Sequence, residues 1–167
     1  MLRSVMLPDG IDGRLFLHSM PGRREDLEEA RRCIAEQNIE RIVSLAPLDE
    51  IQVKSPSYAD AITSGTMRVD LLPVEDYGVP DDRDAFLADA RSVAVDLKAG
   101  KNVLVHCGAG IGRTGTFACC VLLQFGIALD KALQDVKAAG SSAETDDQRR
   151  LLRWCAKQLA PQAHGRQ

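Results

Sequence analysis

The chain has 167 residues, 45% of them hydrophobic and 27% charged, which suits one domain with a full core and argues against a disordered polymer. Its formal net charge is −3 with no Lys/Arg-rich run, so composition gives a nucleic-acid partner no support. No apolar run of about 18 residues could span a membrane, and Met1–Pro8 is too short and too soon broken for a signal peptide; the expectation is a cytoplasmic protein with no membrane partner.

In chain order, an extended start leads to Asp12-Gly13, a tight-turn signal, and then to a strand at Arg14–His18, so the first two strands read as a hairpin. Ser19-Met20-Pro21-Gly22 ends it, and His18 reads as structural. Glu25 to Gln37 carries Leu27, Ala30, Ile34 and Ala35 at helical spacing, with acids in front and Arg31 and Arg32 behind, as the helix dipole favours. Arg41–Leu45 is a buried strand closed by Pro47. Leu48 to Ser64 is the least regular stretch: a turn of helix at Asp49-Glu50-Ile51, a break at Ser55-Pro56, and a resumption over Ser57–Thr63. Met67–Leu72 alternates as a further strand, which Pro73 terminates. A Pro- and Gly-rich loop over residues 74–82 then leads into an amphipathic helix at Arg83–Lys98.

Asn102–His106 is a short apolar, β-branched run of the kind that makes a strand buried on both faces. Gly108, Gly110 and Gly112 follow, too many glycines for a regular element, and Arg113–Leu123 reads as an apolar helix. Gly126 ends that helix, another runs from Leu129 to Gly140, and a last one begins at Thr145 or Asp146, a good N-cap, and ends at Leu159. Trp154 is expected in the core. Residues 1–160 thus form one domain and 161–167 a tail. Alternating strands and helices imply an α/β fold, a mostly parallel central sheet with helices on both sides, and such sheets place ligands at the C-terminal ends of their strands.

Strand, glycine loop and helix together make an anion cradle. Glycines let successive N–H groups turn inward without a Cβ clash, and the helix adds its unpaired first-turn amides and positive dipole end. Phosphate is the natural guest. Those amides and Arg113 would stabilise a thiolate at Cys107, making it a nucleophile at neutral pH. Arg113, six residues on, can grip two phosphoryl oxygens with its planar fork, which a lysine cannot. Gly110-x-Gly112-x-x-Gly115 also fits the dinucleotide fingerprint, with Asp130 near the ribose-binding distance, but that reading gives Cys107 and Arg113 no work. The Walker A loop fails on spacing and on Arg113 in place of lysine. Five cysteines, Cys33, Cys107, Cys119, Cys120 and Cys155, form no C-x-x-C pair, which argues against a disulfide framework or a zinc site. One of the other four could protect an oxidised Cys107 as a disulfide.

His106-Cys107-Gly108-Ala109-Gly110-Ile111-Gly112-Arg113-Thr114-Gly115 resembles the H-C-x5-R-[S/T]-G signature of cysteine-dependent protein tyrosine and dual-specificity phosphatases, and especially small ones like the cyclin-dependent-kinase-associated phosphatase. LFLHSMPG is similar to their opening strand. The resemblance implies that Cys107 attacks phosphorus while Arg113 and the amides of Gly108, Ala109, Gly110, Ile111, Gly112 and Arg113 hold the phosphoryl oxygens. It implies that the Thr114 hydroxyl bonds the departing sulfur, that His106 fixes the loop, and that no metal or other cofactor takes part. Such chemistry needs an acid to protonate the leaving oxygen. Asp76, 31 residues before Cys107 and five before Asp81, stands where the resemblance puts it. Asp70 at a strand end, Glu75, and Asp81 or Asp82 as a cap of the next helix remain competitors.

Glu144-Thr145-Asp146-Asp147-Gln148 resembles an E-T-x-x-Q stretch of related phosphatases in which a glutamine can orient the attacking water; for Gln148 an exposed helix position is the alternative. A loop interior without lysines favours a phosphorylated protein or peptide over a phosphoinositide. A phosphate-binding module without turnover is a further alternative.

Overall fold

The computed structural model describes residues 1–161, so all of the expected 161–167 tail except Pro161 lies outside the described residues. Side-chain alternation along the buried strands decides the layering. A strand turns successive side chains to opposite faces, and here both faces are apolar. Strands β1 (Arg3–Val5), β2 (Leu15–His18), β3 (Ile39–Ser44), β4 (Asp70–Leu71) and β5 (Asn102–His106) form one sheet in the order β1-β2-β5-β3-β4. β1 runs antiparallel to β2, and every other pairing is parallel. Leu15, Leu17, Val43, Val103 and Val105 point to one side, where α4 (Arg83–Lys98), α5 (Gly112–Leu123), α6 (Leu129–Ala138) and α7 (Asp146–Leu159) cover them. Phe16, Ile42 and Leu104 point to the other, beneath α1 (Leu27–Glu36), α2 (Leu48–Lys54) and α3 (Pro56–Thr63). This is the expected α/β architecture, with the C-terminal end of β5 between those of β2 and β3.

Three local expectations are corrected. The first two strands do pair as a hairpin, but Val5 opposes Leu15, and the left-handed residue of their connection is Gly10, at φ +86°. Gly13 serves a different need: its amide donates to Leu97 O at 3.0 Å, and a Cβ there would strike the carbonyl of Lys101. The strand expected at 67–72 shrinks to Asp70–Leu71, because Met67 N turns back to Ala61 O before the pairing with β3 begins. Trp154 is half-buried on α7, with the Arg83 guanidinium 4.3 Å from its ring centroid, instead of deep in the core.

α5 is the central helix. All twelve of its residues are buried, since it packs against β5, α4, α6 and α7, and a helix enclosed on every side carries no polar face. Phe117 meets Phe86 of α4 edge to face at 5.2 Å. Replacing the fully buried Leu122 by Ala is expected to lower the unfolding free energy by about 2–5 kcal/mol in urea titrations; a loss below about 1 kcal/mol would contradict this packing.

Candidate active site

β5 delivers the chain to Cys107, and α5 takes it up at Gly112. Between them the carbonyls are tied outward. His106 Nδ1 donates to Cys107 O at 3.1 Å, and Met20 N donates to Gly108 O at 3.1 Å. Gly110 O accepts from Arg3 Nη2 at 2.6 Å and from Ser141 Oγ at 2.7 Å. Ile111 O accepts from Gly115 N at 2.8 Å and Ser142 N at 3.2 Å. A trans peptide carries its N–H on the edge opposite its C=O, so the amides of Gly108, Ala109, Ile111 and Gly112 face the inside of the ring. Gly110 N reaches Cys107 Sγ at 3.3 Å. Among the described residues, the Gly108, Ala109 and Ile111 amides donate to no protein group. Cys107 is 2% exposed at the floor of the ring, while Ala109 and Ile111 meet solvent at its rim. Gly110 has φ +75°, and a Cβ would collide with the His18 carbonyl; only glycine fits there.

Arg113 is buried on the first turn of α5. Its Nη1 bonds Glu50 Oε2 at 2.7 Å and Val74 O at 2.8 Å, and its Nη2 bonds Glu50 Oε1 at 2.9 Å. Lys54, one turn along α2, adds a 2.7 Å bond to Glu50. Burial alone would raise the Glu50 pKa, but the bonds from Arg113 and Lys54 outweigh it and hold it at about 2. For Arg113 burial likewise opposes charge, and Glu50 more than compensates, so its pKa rises. A fixed carboxylate thus aims the guanidinium, whose Nε is buried without a partner.

The acidic competitors separate by what they touch. Asp70 is paired with Arg41 at 2.8 Å, in a network that continues to Asp96. Asp82 caps α4 by accepting from Ala85 N at 2.9 Å. Glu75 and Asp81 are exposed and make no side-chain hydrogen bond among the described residues. Asp76 lies 3.1 Å from Arg113 Nη2 and 3.9 Å from Lys54 Nζ, with its side chain 54% exposed. Its neighbour Tyr77 holds φ +60°, a conformation that costs a non-glycine residue about 1 kcal/mol or more.

His106 is wholly buried. With Nδ1 donating to Cys107 O, its Nε2 accepts from the Tyr58 hydroxyl at 2.9 Å, and burial lowers its pKa to about 4. It is therefore neutral and braces the loop. The Thr114 hydroxyl is buried without a partner. Gln148 is buried, not exposed. Its Oε1 accepts from Glu144 N and Thr145 N at 2.8 and 3.3 Å, completing the capping box of α7, and its Nε2 donates to Gly78 O at 3.1 Å. Gln148 thus ties the Asp76 loop to α7. In the same E-T-x-x-Q stretch it is the Glu144 carboxylate that lies against Gly112 of the ring. Of the other thiols, Cys120 and Cys155 touch each other at 3.4 Å, and no hydrogen bond joins any of them to Cys107. Burial pushes Cys119 up to about 12, leaving it unreactive.

The residues expected from sequence at 76, 106–114 and 148 thus lie in one neighbourhood. Sequence reasoning missed Glu50, Lys54, Tyr58, Arg3 and Ser141. Glu50, Lys54 and Tyr58 share a spacing of four, a helical-face signal, but the Ser55-Pro56 break hid it. No comparable signal marks Arg3 or Ser141.

The family profile described as "PTP-SAK: Swiss Army Knife protein, DSP-PTPase phosphatase domain" matches residues 11–164. Among solved structures, the chain is similar to a kinase-associated phosphatase with serine in place of its catalytic-site cysteine, at TM-score 0.79 and 19% identity over 96% of each chain. It is similar to Tk-PTP in the active form, at TM-score 0.70 and 27% identity over 93% of this chain and 97% of that one. A third similar structure is PTPMT1, at TM-score 0.70 and 20% identity over 95% and 96%, which is also solved in complex with PI(5)P. No protein of curated function matches the sequence.

The depressed His106 pKa has a consequence for stability. In the unfolded chain the imidazole takes a proton near pH 6.5 and in the folded one near pH 4, so stability is full above 6.5 and is lost as pH falls towards 4. His18, lowered mainly by its own burial, acts in the same direction, whereas the Glu50 contribution is lost only below about pH 4.5. Urea titrations at pH 7.5 and pH 5.0 are expected to differ by about 2 kcal/mol on account of His106. His106→Gln is expected to remove most of that difference, and an unchanged pH dependence would contradict the neutral, buried imidazole.

Proposed function

The chain belongs to the PTP-SAK family of DSP-PTPase phosphatase domains and is a cysteine-dependent phosphatase; on that premise we propose that it hydrolyses phosphate monoesters on proteins, phosphotyrosine first and phosphoserine or phosphothreonine as well, through a cysteinyl-phosphate. We read residues 1–160 as a single such domain and its location as cytoplasmic; among the described residues no helix is long and apolar enough to cross a membrane. The observation that carries the reading is the convergence of Cys107, a ring of inward amides and Arg113 on one point, with Asp76 at the mouth.

In the first step the Cys107 thiolate attacks phosphorus, the bond from phosphorus to the ester oxygen breaks, and Asp76 gives its proton to the leaving oxygen. Arg113 and the amides of residues 108–113 hold the three equatorial oxygens, whose charge they stabilise without having to reorganise. In the second step Asp76 takes a proton from water as the water oxygen attacks phosphorus. The sulfur–phosphorus bond breaks, phosphate leaves, and the thiolate is restored. The buried, unpartnered Thr114 hydroxyl supplies the departing sulfur with a hydrogen bond. Gln148 acts by holding the Gly78 carbonyl and hence the Asp76 loop. Arg113 and the ring amides supply the positive field, so neither step requires a metal.

The PI(5)P complex of the similar PTPMT1 makes a phosphoinositide the second reading, but the ring interior of Gly108, Ala109, Gly110, Ile111 and Gly112 presents no lysine for further phosphates. Phosphotyrosine peptide is expected to be turned over at least about 10-fold more efficiently than PI(5)P, a difference of about 1.4 kcal/mol in the barrier; the reverse order would select the lipid. Vanadate is expected to inhibit and chelators to leave activity intact. Cys107→Ser is expected to abolish turnover. Asp76→Asn is expected to lower kcat/KM, which reports formation of the cysteinyl-phosphate, by about 100-fold or more for an alkyl or phenyl phosphate and much less for a p-nitrophenyl ester, whose leaving group needs no proton. Equal losses on both esters would remove Asp76 from the acid role.

A further inference from the structure

We propose that Arg3, at the far end of the chain from Arg113, is a second cationic positioning residue of the phosphate ring, acting with Ser141 on the carbonyl of Gly110; its role in turnover rests on the function proposed above. β1 pairs with β2 in a register that sets Arg3 opposite Leu17. From there the guanidinium crosses the back of the ring. Nη2 bonds Gly110 O at 2.6 Å, and Nη1 bonds Ser141 Oγ at 3.1 Å and Ala139 O at 2.9 Å. Ser141 Oγ in turn donates to Gly110 O at 2.7 Å, closing a triangle around one carbonyl. Gly140 makes room for it: its φ is +82°, and a Cβ would fall 2.8 Å from Arg3 Nη1.

The clamped carbonyl is the vulnerable one. Gly110 is the left-handed residue of the ring, and glycine passes between left- and right-handed regions at little steric cost. Rotation of the peptide between Gly110 and Ile111 would withdraw the Ile111 amide from the interior and turn a carbonyl dipole towards the bound oxyanion. Two hydrogen bonds, one charge-assisted, oppose that rotation.

Arg3 also differs from Arg113 in what balances its charge. Arg113 is neutralised by Glu50, whereas among the described residues Arg3 forms no ion pair with a carboxylate, and all three of its acceptors are neutral. Its field is therefore uncancelled locally and directed at the ring. Burial lowers the Arg3 pKa, and the charge of Cys107 opposes that lowering, so the two groups sense one another although they share no bond.

The test uses the full chain and inorganic phosphate, with binding read by calorimetry and turnover with an aryl phosphate. Arg3→Met is expected to weaken phosphate binding about 10-fold or more, and Ser141→Ala about 3- to 10-fold, with the double variant close to the stronger single one because both act on Gly110. Arg3→Lys is expected to recover part of the affinity by restoring charge. A role confined to fold stability would leave one further quantity unmoved: the ratio of Cys107 alkylation rates by anionic iodoacetate and neutral iodoacetamide. Arg3→Met is expected to lower that ratio. Unchanged phosphate affinity, or a loss with an unchanged ratio, overturns the proposal. If Arg3→Met does not fold, Ser141→Ala decides: parent-like phosphate affinity overturns it. Phosphate binding without turnover in the parent chain would overturn the proposed function alone and leave the Arg3 comparison intact, whereas a parent chain with no phosphate affinity would overturn both.

Discussion

Four carbonyls of the 107–111 loop are bonded away from its centre, and the planarity of the trans peptide does the rest. Each outward C=O obliges the N–H on its other edge to face in, so the anion site is built from behind, by donors that never approach the anion. Those donors come from segments far apart in the chain: Arg3 and Met20 near its start, His106 at the strand end, Gly115 on α5, and Ser141 and Ser142 ahead of the last helix. The sheet and α5 exist in the positions they do so that these segments meet at one five-residue turn. Losing any one of them frees a peptide to rotate at a glycine-rich point where rotation is sterically easy.

Charge is organised by the same economy. Glu50 anchors Arg113 from one side with both of its oxygens, and Lys54 binds Glu50 in turn. Asp76 then stands on the outer nitrogen of Arg113 and within 3.9 Å of Lys54, half in solvent. Of Asp70, Glu75, Asp76, Asp81 and Asp82, Asp76 alone reaches Arg113 while remaining open to water, which an acid that must later act as a base requires. Gln148 holds the other end of that loop through Gly78. Motion of the acid and integrity of α7 are thereby linked.

The sheet and most helices were legible because buried parallel strands write themselves as apolar runs and amphipathic helices as a period near four. The 67–72 strand was overestimated, since periodicity does not reveal that Met67 bonds back to Ala61. At the site, the residues of 106–114 could be read together because their spacing is local. Asp76 could be named but not separated from Asp70, Glu75, Asp81 and Asp82 until their partners were known. Glu50 lay in the one stretch whose helices are interrupted by Ser55-Pro56, and its carboxylate looks in sequence like any surface acid. Arg3 and Ser141 reach Gly110 across 107 and 31 residues, a relation that no local pattern carries. Gln148 was singled out by its motif, yet only packing distinguishes an exposed helix position from a buried amide bonded to three backbone groups.

The central claim is that phosphate passes through sulfur, and a rapid acid quench of the Asp76→Asn protein mixed with p-nitrophenyl phosphate tests it most directly. That leaving group needs no proton, so the intermediate still forms, whereas the amide side chain cannot accept the proton of the attacking water, so breakdown slows and the covalent species accumulates. The account predicts a phosphoryl group carried by the peptide that contains Cys107, absent when Cys107 is also replaced by serine. Turnover with no phosphoenzyme at any quench time, or with phosphate on another residue, would contradict it.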